Sequence, residues 1–202
     1  MVRVKNKINR LDKVKLLMTG FVFFFFSTLT LADDEIIKDE KLFRWPQNKI
    51  EWFYSTMNEP SWLTHEESLS LFKSAALLWR SCGVELVFKE EISEPIKRKD
   101  KKNSFGWAKL PKEFRGITLR QNQNADLVEV DLAINPENMA IMKDKSLLKK
   151  VILHEFGHAL GLNHALGCND VMSSAKECGR DIANPPPQEP TNNDLDQCAL
   201  RY

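Results

Sequence analysis

Residues 154–164 read His154-Glu155-Phe156-Gly157-His158-Ala159-Leu160-Gly161-Leu162-Asn163-His164, and they hold three of the chain's four histidines. His154 and His158 are four apart, which on a helix puts them on one face a turn apart. Two imidazoles placed that way can share one zinc ion. Glu155 is the next residue along, rotated by about a third of a turn around the axis. From there its carboxylate can reach a water in the zinc's open position. Gly161 ends the helix, because glycine takes a positive φ without strain. The chain then reverses, and His164 can return to the same ion from a non-helical segment. Three neutral nitrogen ligands with solvent in the fourth position make a catalytic type of site, whereas a closed structural site takes four protein ligands. A helix whose histidines merely pack explains neither the glycine nor the third histidine. The fourth histidine, His65, lies far away at the start of another helix and is read as an exposed first-turn residue with no role.

The helix that carries the motif is expected to run from about Ser146 to Leu160. Before it, DLVEVDLAI (126–134) is the clearest strand, with Val128, Val130, Leu132 and Ile134 on one face and Glu129 and Asp131 on the other. Further upstream, KIEWFY (49–54) and VELVFK (84–89) read as strands rich in aromatic and β-branched residues. Between them Thr64 opens a helix, with Glu67 completing a capping box, and Leu69, Phe72, Ala76 and Trp79 making its apolar face. Gly83 fits its stop. A short edge strand is expected through Gly106-Trp107-Ala108-Lys109-Leu110, ending at Pro111, and another over Ile117 to Arg120. Residues 90–104 are polar and charged and read as a solvated loop; no aromatic residues interleave with their basic run, as nucleic-acid binding would want. After Gly161 the chain reads mostly as loop until Thr191, where Thr191 and Asp194 mark a last short helix. These elements define an α+β chain.

The N-terminus is of a different character. Residues 1–32 carry six positive charges against one negative, then the uncharged run LLMTGFVFFFFSTLTL (16–31) and Ala32. A basic start, an apolar run and a small-x-small exit describe a secretory signal peptide; the alternative is an uncut membrane anchor. Either places the rest of the chain outside the cytoplasm, secreted or periplasmic. Residues 33–44 follow as a short charged leader, and 45–202 as the functional domain. The 202 residues, 43% apolar and 28% charged, suit one globular domain and exclude a long disordered chain or a multi-span membrane protein. The formal charge of +1 marks no nucleic-acid binder. Without residues 1–32, Lys plus Arg falls from 29 to 23 and Asp plus Glu from 28 to 27, so the remainder is at −4. Four cysteines, Cys82, Cys168, Cys178 and Cys198, favour two disulfides in an exported chain, with three pairings open.

H-E-x-x-H-x-x-G-x-x-H resembles the signature of the metzincin zinc proteases, and HEFGHALGLNH looks most like their matrixin branch, the matrix-metalloproteinase-like family. Asp170-Val171-Met172-Ser173 resembles the family's methionine turn, eight residues after His164. The order of strands and helices and the ending Asp194–Tyr202 are similar as well. The resemblance implies a zincin-like catalytic domain: a twisted mixed sheet of about five strands, an active-site helix, a second long helix and a short C-terminal helix. It implies one catalytic zinc on His154, His158 and His164, Glu155 as general base, Gly161 and Met172 as supports, and a zinc endopeptidase that acts on proteins or peptides. Such a chain is expected to be a monomer with no nucleic-acid partner and no stable membrane association once the leader is cut. Substrate would lie along an edge strand above the active-site helix, and Gly106–Leu110 is the candidate. Arg80-Ser81-Cys82-Gly83-Val84 looks like part of a propeptide cysteine switch, but it falls inside the domain and is not read as one. Family members often hold a second, structural zinc on histidines that residues 90–135 lack, so that site is expected to be absent. Calcium can bind carboxylates such as Asp126 or Asp131, although nothing matches a calcium loop. A different class is an extracytoplasmic zinc-binding protein that has lost catalysis, and a third is a membrane-tethered interaction module.

Overall fold

In the KIEWFYS segment Ile50, Trp52 and Tyr54 recur at every second position, and in the computed structural model this segment is strand β1 (Lys49–Ser55), with those three side chains turned into the core. The structure describes residues 42–174, 178 and 187–202. The expected signal peptide and nearly all of the leader lie outside the described residues. Helix α1 (His65–Leu78) follows, opened by the Thr64–Glu67 capping box and continued by a 3-10 turn, Trp79–Cys82. Gly83 closes that turn at a φ of 82°, as its place in the sequence predicts. Strands β2 (Glu85–Ile92), β3 (Ser104–Trp107), β4 (Gly116–Gln123) and β5 (Asp126–Ile134) come next. Then come a short helix α2 (Met139–Lys143), helix α3 (Lys145–Ala159) and helix α4 (Asn192–Ala199).

The five strands form one mixed sheet in the order β2-β1-β3-β5-β4. β1 is parallel to β2 and β3, β3 is parallel to β5, and β4 alone runs antiparallel, joined to β5 by a tight turn with Asn124 at a φ of 61°. The class is therefore α+β with a five-stranded mixed sheet and flanking helices.

Two expectations need correction. The strand expected at the edge over Gly106–Leu110 is instead the central strand of the sheet and begins earlier: β3 covers Ser104–Trp107, all four residues are buried, and it pairs on both sides. The reason lies in Gly106, where a Cβ would come within 2.6 Å of the Ser55 carbonyl oxygen, so only glycine lets β1 approach. The edge strand that packs on α3 is β4 instead. The second concerns β5. Val130, Leu132 and Ile134 face the core as expected, but Val128 is 44% exposed while Glu129 and Asp131 are only 3% and 2% exposed. The polar face is covered by the segment read as a solvated loop. Backbone amides of Lys99 and Lys101 donate to the Glu129 carboxylate, and that of Ser104 donates to Asp131 at 3.3 Å. Burial raises the Asp131 carboxyl to about 7.

Helix α3 is fixed to the sheet through aromatic rings. Trp52 of β1 stacks on Phe105 of β3 at 5.4 Å, and Phe105 meets Phe156 of α3 edge-on at 5.1 Å. Phe72 of α1 also reaches Phe156, at 6.3 Å. Such pairs add about 1 kcal/mol each beyond the area they bury. Of the three cysteine pairings, the structure has Cys82–Cys198, tying the 3-10 turn to α4, and Cys168–Cys178, closing a short loop after the histidine motif. Among the described residues no helix is long and apolar enough to cross a membrane.

Candidate metal centre

The motif helix is pinned at both ends. At its start the Asp144 side chain accepts from the amides of Ser146 and Leu147. At its end Gly161 sits at a φ of 87°, the Gly161 amide donates to His158 and the Leu162 amide to Gly157, which is a Schellman cap. The last carbonyls are satisfied from outside the helix. Trp45 Nε1 donates to Ala159, the Tyr202 hydroxyl to Leu160 and Arg201 Nε to Gly161. The reversal at Gly161 is also a close approach, since a Cβ there would run into the Phe43 carbonyl.

These constraints bring His154, His158 and His164 together. One ligand atom from each lies within 4.8 Å of the others, and this is the one such grouping of three metal-binding side chains among the described residues. The ring centroids are 4.6, 4.9 and 5.2 Å apart. His154 Nδ1 lies 2.7 Å from the Val171 carbonyl and His158 Nδ1 lies 2.8 Å from the Leu162 carbonyl. A carbonyl only accepts, so each Nδ1 carries the proton and each Nε2 presents a lone pair. His158 Nε2 is 3.2 Å from His164 Nε2. Two ligand nitrogens ~2.05 Å from one tetrahedral zinc would stand about 3.3 Å apart, so the observed spacing fits a shared cation of that size. Burial, followed by the nearby Lys150 cation, pushes His154 down to about 3. Burial and the two neighbouring imidazoles hold His158 well below its usual range. Both rings are thus neutral at physiological pH, the form a metal binds.

Glu155 is buried and faces the edge strand. The Thr118 hydroxyl of β4 lies 2.7 Å from Glu155 Oε2 and 2.9 Å from its backbone oxygen. Arg120, two residues on, reaches the Leu162 carbonyl and Asn163 Oδ1 at 3.4 and 3.3 Å, and its guanidinium lies over the Phe43 ring. Lys150, one turn before His154 on the same helix face, is buried too.

Met172 lies beneath the motif, buried, with its thioether where a Cβ on Gly157 would be. Its turn is gripped from α4. The buried Asp194 carboxylate accepts from the Val171 amide at 2.9 Å and the Met172 amide at 3.1 Å, while also closing the Thr191 capping box. The capping box was visible in sequence; the second reach of its carboxylate was not. Thr118 and Arg120 were visible only as members of a strand, because no local pattern links them to residues 37 and 42 positions away. His65, given no role, bridges Glu59 at 3.0 Å and Glu91 at 3.1 Å, and the Glu59 hydrogen bond raises its pKa. Of the acids considered for calcium, Asp126 lies 3.8 Å from Arg44 and Asp131 is taken by Ser104.

No family model and no curated protein matches this chain.

Proposed function

We propose that the chain is a zinc-dependent endopeptidase of matrixin type, working outside the cytoplasm on protein or peptide substrates. The observation that carries this is the convergence of three imidazoles, two of them fixed as Nδ1–H tautomers by the Val171 and Leu162 carbonyls, beside the buried Glu155. Two disulfides among the described residues suit an oxidising compartment.

His154, His158 and His164 would hold the zinc through neutral nitrogens, and a fourth position left to solvent makes the site catalytic in type. Zinc bound there supplies Lewis-acid polarisation of a carbonyl and a bound water whose pKa falls toward ~7. Glu155 would serve as the general base and acid beside that position, accepting a proton from water and returning it to the leaving amine. No serine or cysteine nucleophile is needed. By the matrixin resemblance, substrate lies extended on the outer edge of β4, the edge strand that packs over α3, rather than on Gly106–Leu110. Gly161 turns the chain so that His164 returns, and Met172 supports the helix from below.

Glu155→Gln separates binding from chemistry. It should keep zinc at the wild-type stoichiometry and lose cleavage by about 10²-fold or more. Cleavage of a mixed peptide library, followed by mass spectrometry with and without chelator, measures this. Retained turnover in Glu155→Gln removes the residue from the base role; a zinc-loaded wild-type chain that cuts nothing favours a binding protein.

A further inference from the structure

Gly116 and Thr118 are two apart on β4, so both face α3. The Glu155 side chain lies against this pair. A Cβ on Gly116 would sit 3.0 Å from Glu155 Cγ and 3.1 Å from Oε1, so the absent side chain leaves the carboxylate its room. On the other side the Thr118 hydroxyl meets Oε2 at 2.7 Å and the Glu155 backbone oxygen at 2.9 Å. The hydroxyl has one proton for two acceptors. The backbone oxygen of a helical residue already serves the amide four positions on. A bond to the carboxylate is charge-assisted and stronger, so the proton goes there.

We infer that Thr118 is a positioning residue for Glu155: its hydroxyl, with the room that the missing Gly116 side chain leaves, fixes the carboxylate's rotamer against the edge strand. This rests on the endopeptidase reading. Its consequence is specific. The edge strand orients the base as well as bordering the site, and the hydroxyl acts on turnover rather than on substrate or metal affinity.

The test compares wild type, Thr118→Val, Thr118→Ala and Thr118→Ser on a quenched fluorescent peptide chosen from a mixed library for cleavage by the wild-type chain. Zinc content is measured on each sample. Val and Ala should lower kcat by about 10- to 100-fold, with KM and zinc stoichiometry unchanged. Ser should restore kcat. In a Glu155→Gln background, Thr118→Val should add no further loss. Wild-type kcat in Val and Ala overturns the assignment while leaving the endopeptidase reading intact. So does a loss that Ser fails to rescue, or one that comes with loss of zinc, since either marks a structural hydroxyl. A zinc-loaded wild type that cleaves no peptide overturns the endopeptidase reading and the Thr118 role together.

Discussion

Gly161 carries two demands at once: a φ of 87° and a contact with the Phe43 carbonyl that leaves no room for a Cβ. The first alone costs a non-glycine residue about 1–2 kcal/mol, and the second forces residue 43 aside. Gly161→Ala should therefore destabilise the fold by about 2 kcal/mol or more, read from urea unfolding. An alanine variant of wild-type stability would show that the reversal relaxes and is not a fixed support of His164. The conformational half of this was legible, since a glycine placed after a helical histidine pair announces a cap. The contact with Phe43 was not, because it joins residues over a hundred positions apart. The same division holds at the histidines. Their i, i+4 spacing is a local fact, and so is the Leu162 carbonyl that sets the His158 tautomer, whereas the carbonyl that sets the His154 tautomer comes from Val171, 17 positions on.

Elements were legible where burial follows a single face. Trp52 and Tyr54 in β1, and the capped start of α1, needed only periodicity. β5 kept its core face but hid its polar face as well, because amides of a neighbouring loop can satisfy Glu129 as well as water does. An edge and a central strand share one pleat, so SFGW could not be told from an edge until its neighbours were known. α4 shows an element whose job is remote from its own sequence signal. Its capping carboxylate, Asp194, holds both amides of the methionine turn from a buried position. Asp194→Ala should cost about 3 kcal/mol by orphaning those amides, with Asp194→Asn costing less. The turn's Val171 carbonyl orients His154, so zinc should also leave the Ala variant more readily in chelator competition. Unchanged stability in Asp194→Ala would mean that water replaces the carboxylate and the turn stands alone.

Across the whole molecule, the long-range cross-link is Cys82–Cys198, with a sequence separation of 116, against 10 for Cys168–Cys178. In the chain-entropy account the longer loop gains more, and its removal should cost about 2–5 kcal/mol. The paired change Cys82→Ala with Cys198→Ala, compared with wild type in denaturant, measures it; a shift below about 0.5 kcal/mol would contradict a structural role. The number of disulfides was legible from an even cysteine count, but their pairing was a property of the fold, since it depends on the 3-10 turn meeting α4.

In the proposed function His154, His158 and His164 together hold one catalytic metal. The direct measurement is zinc per chain by elemental mass spectrometry after dialysis into metal-free buffer, on wild type and on a chain with all three histidines replaced by alanine. One zinc per wild-type chain and none in the triple variant is the expected result. Wild-type protein without stoichiometric metal, or a triple variant that retains it, would show that these three histidines do not form a metal site.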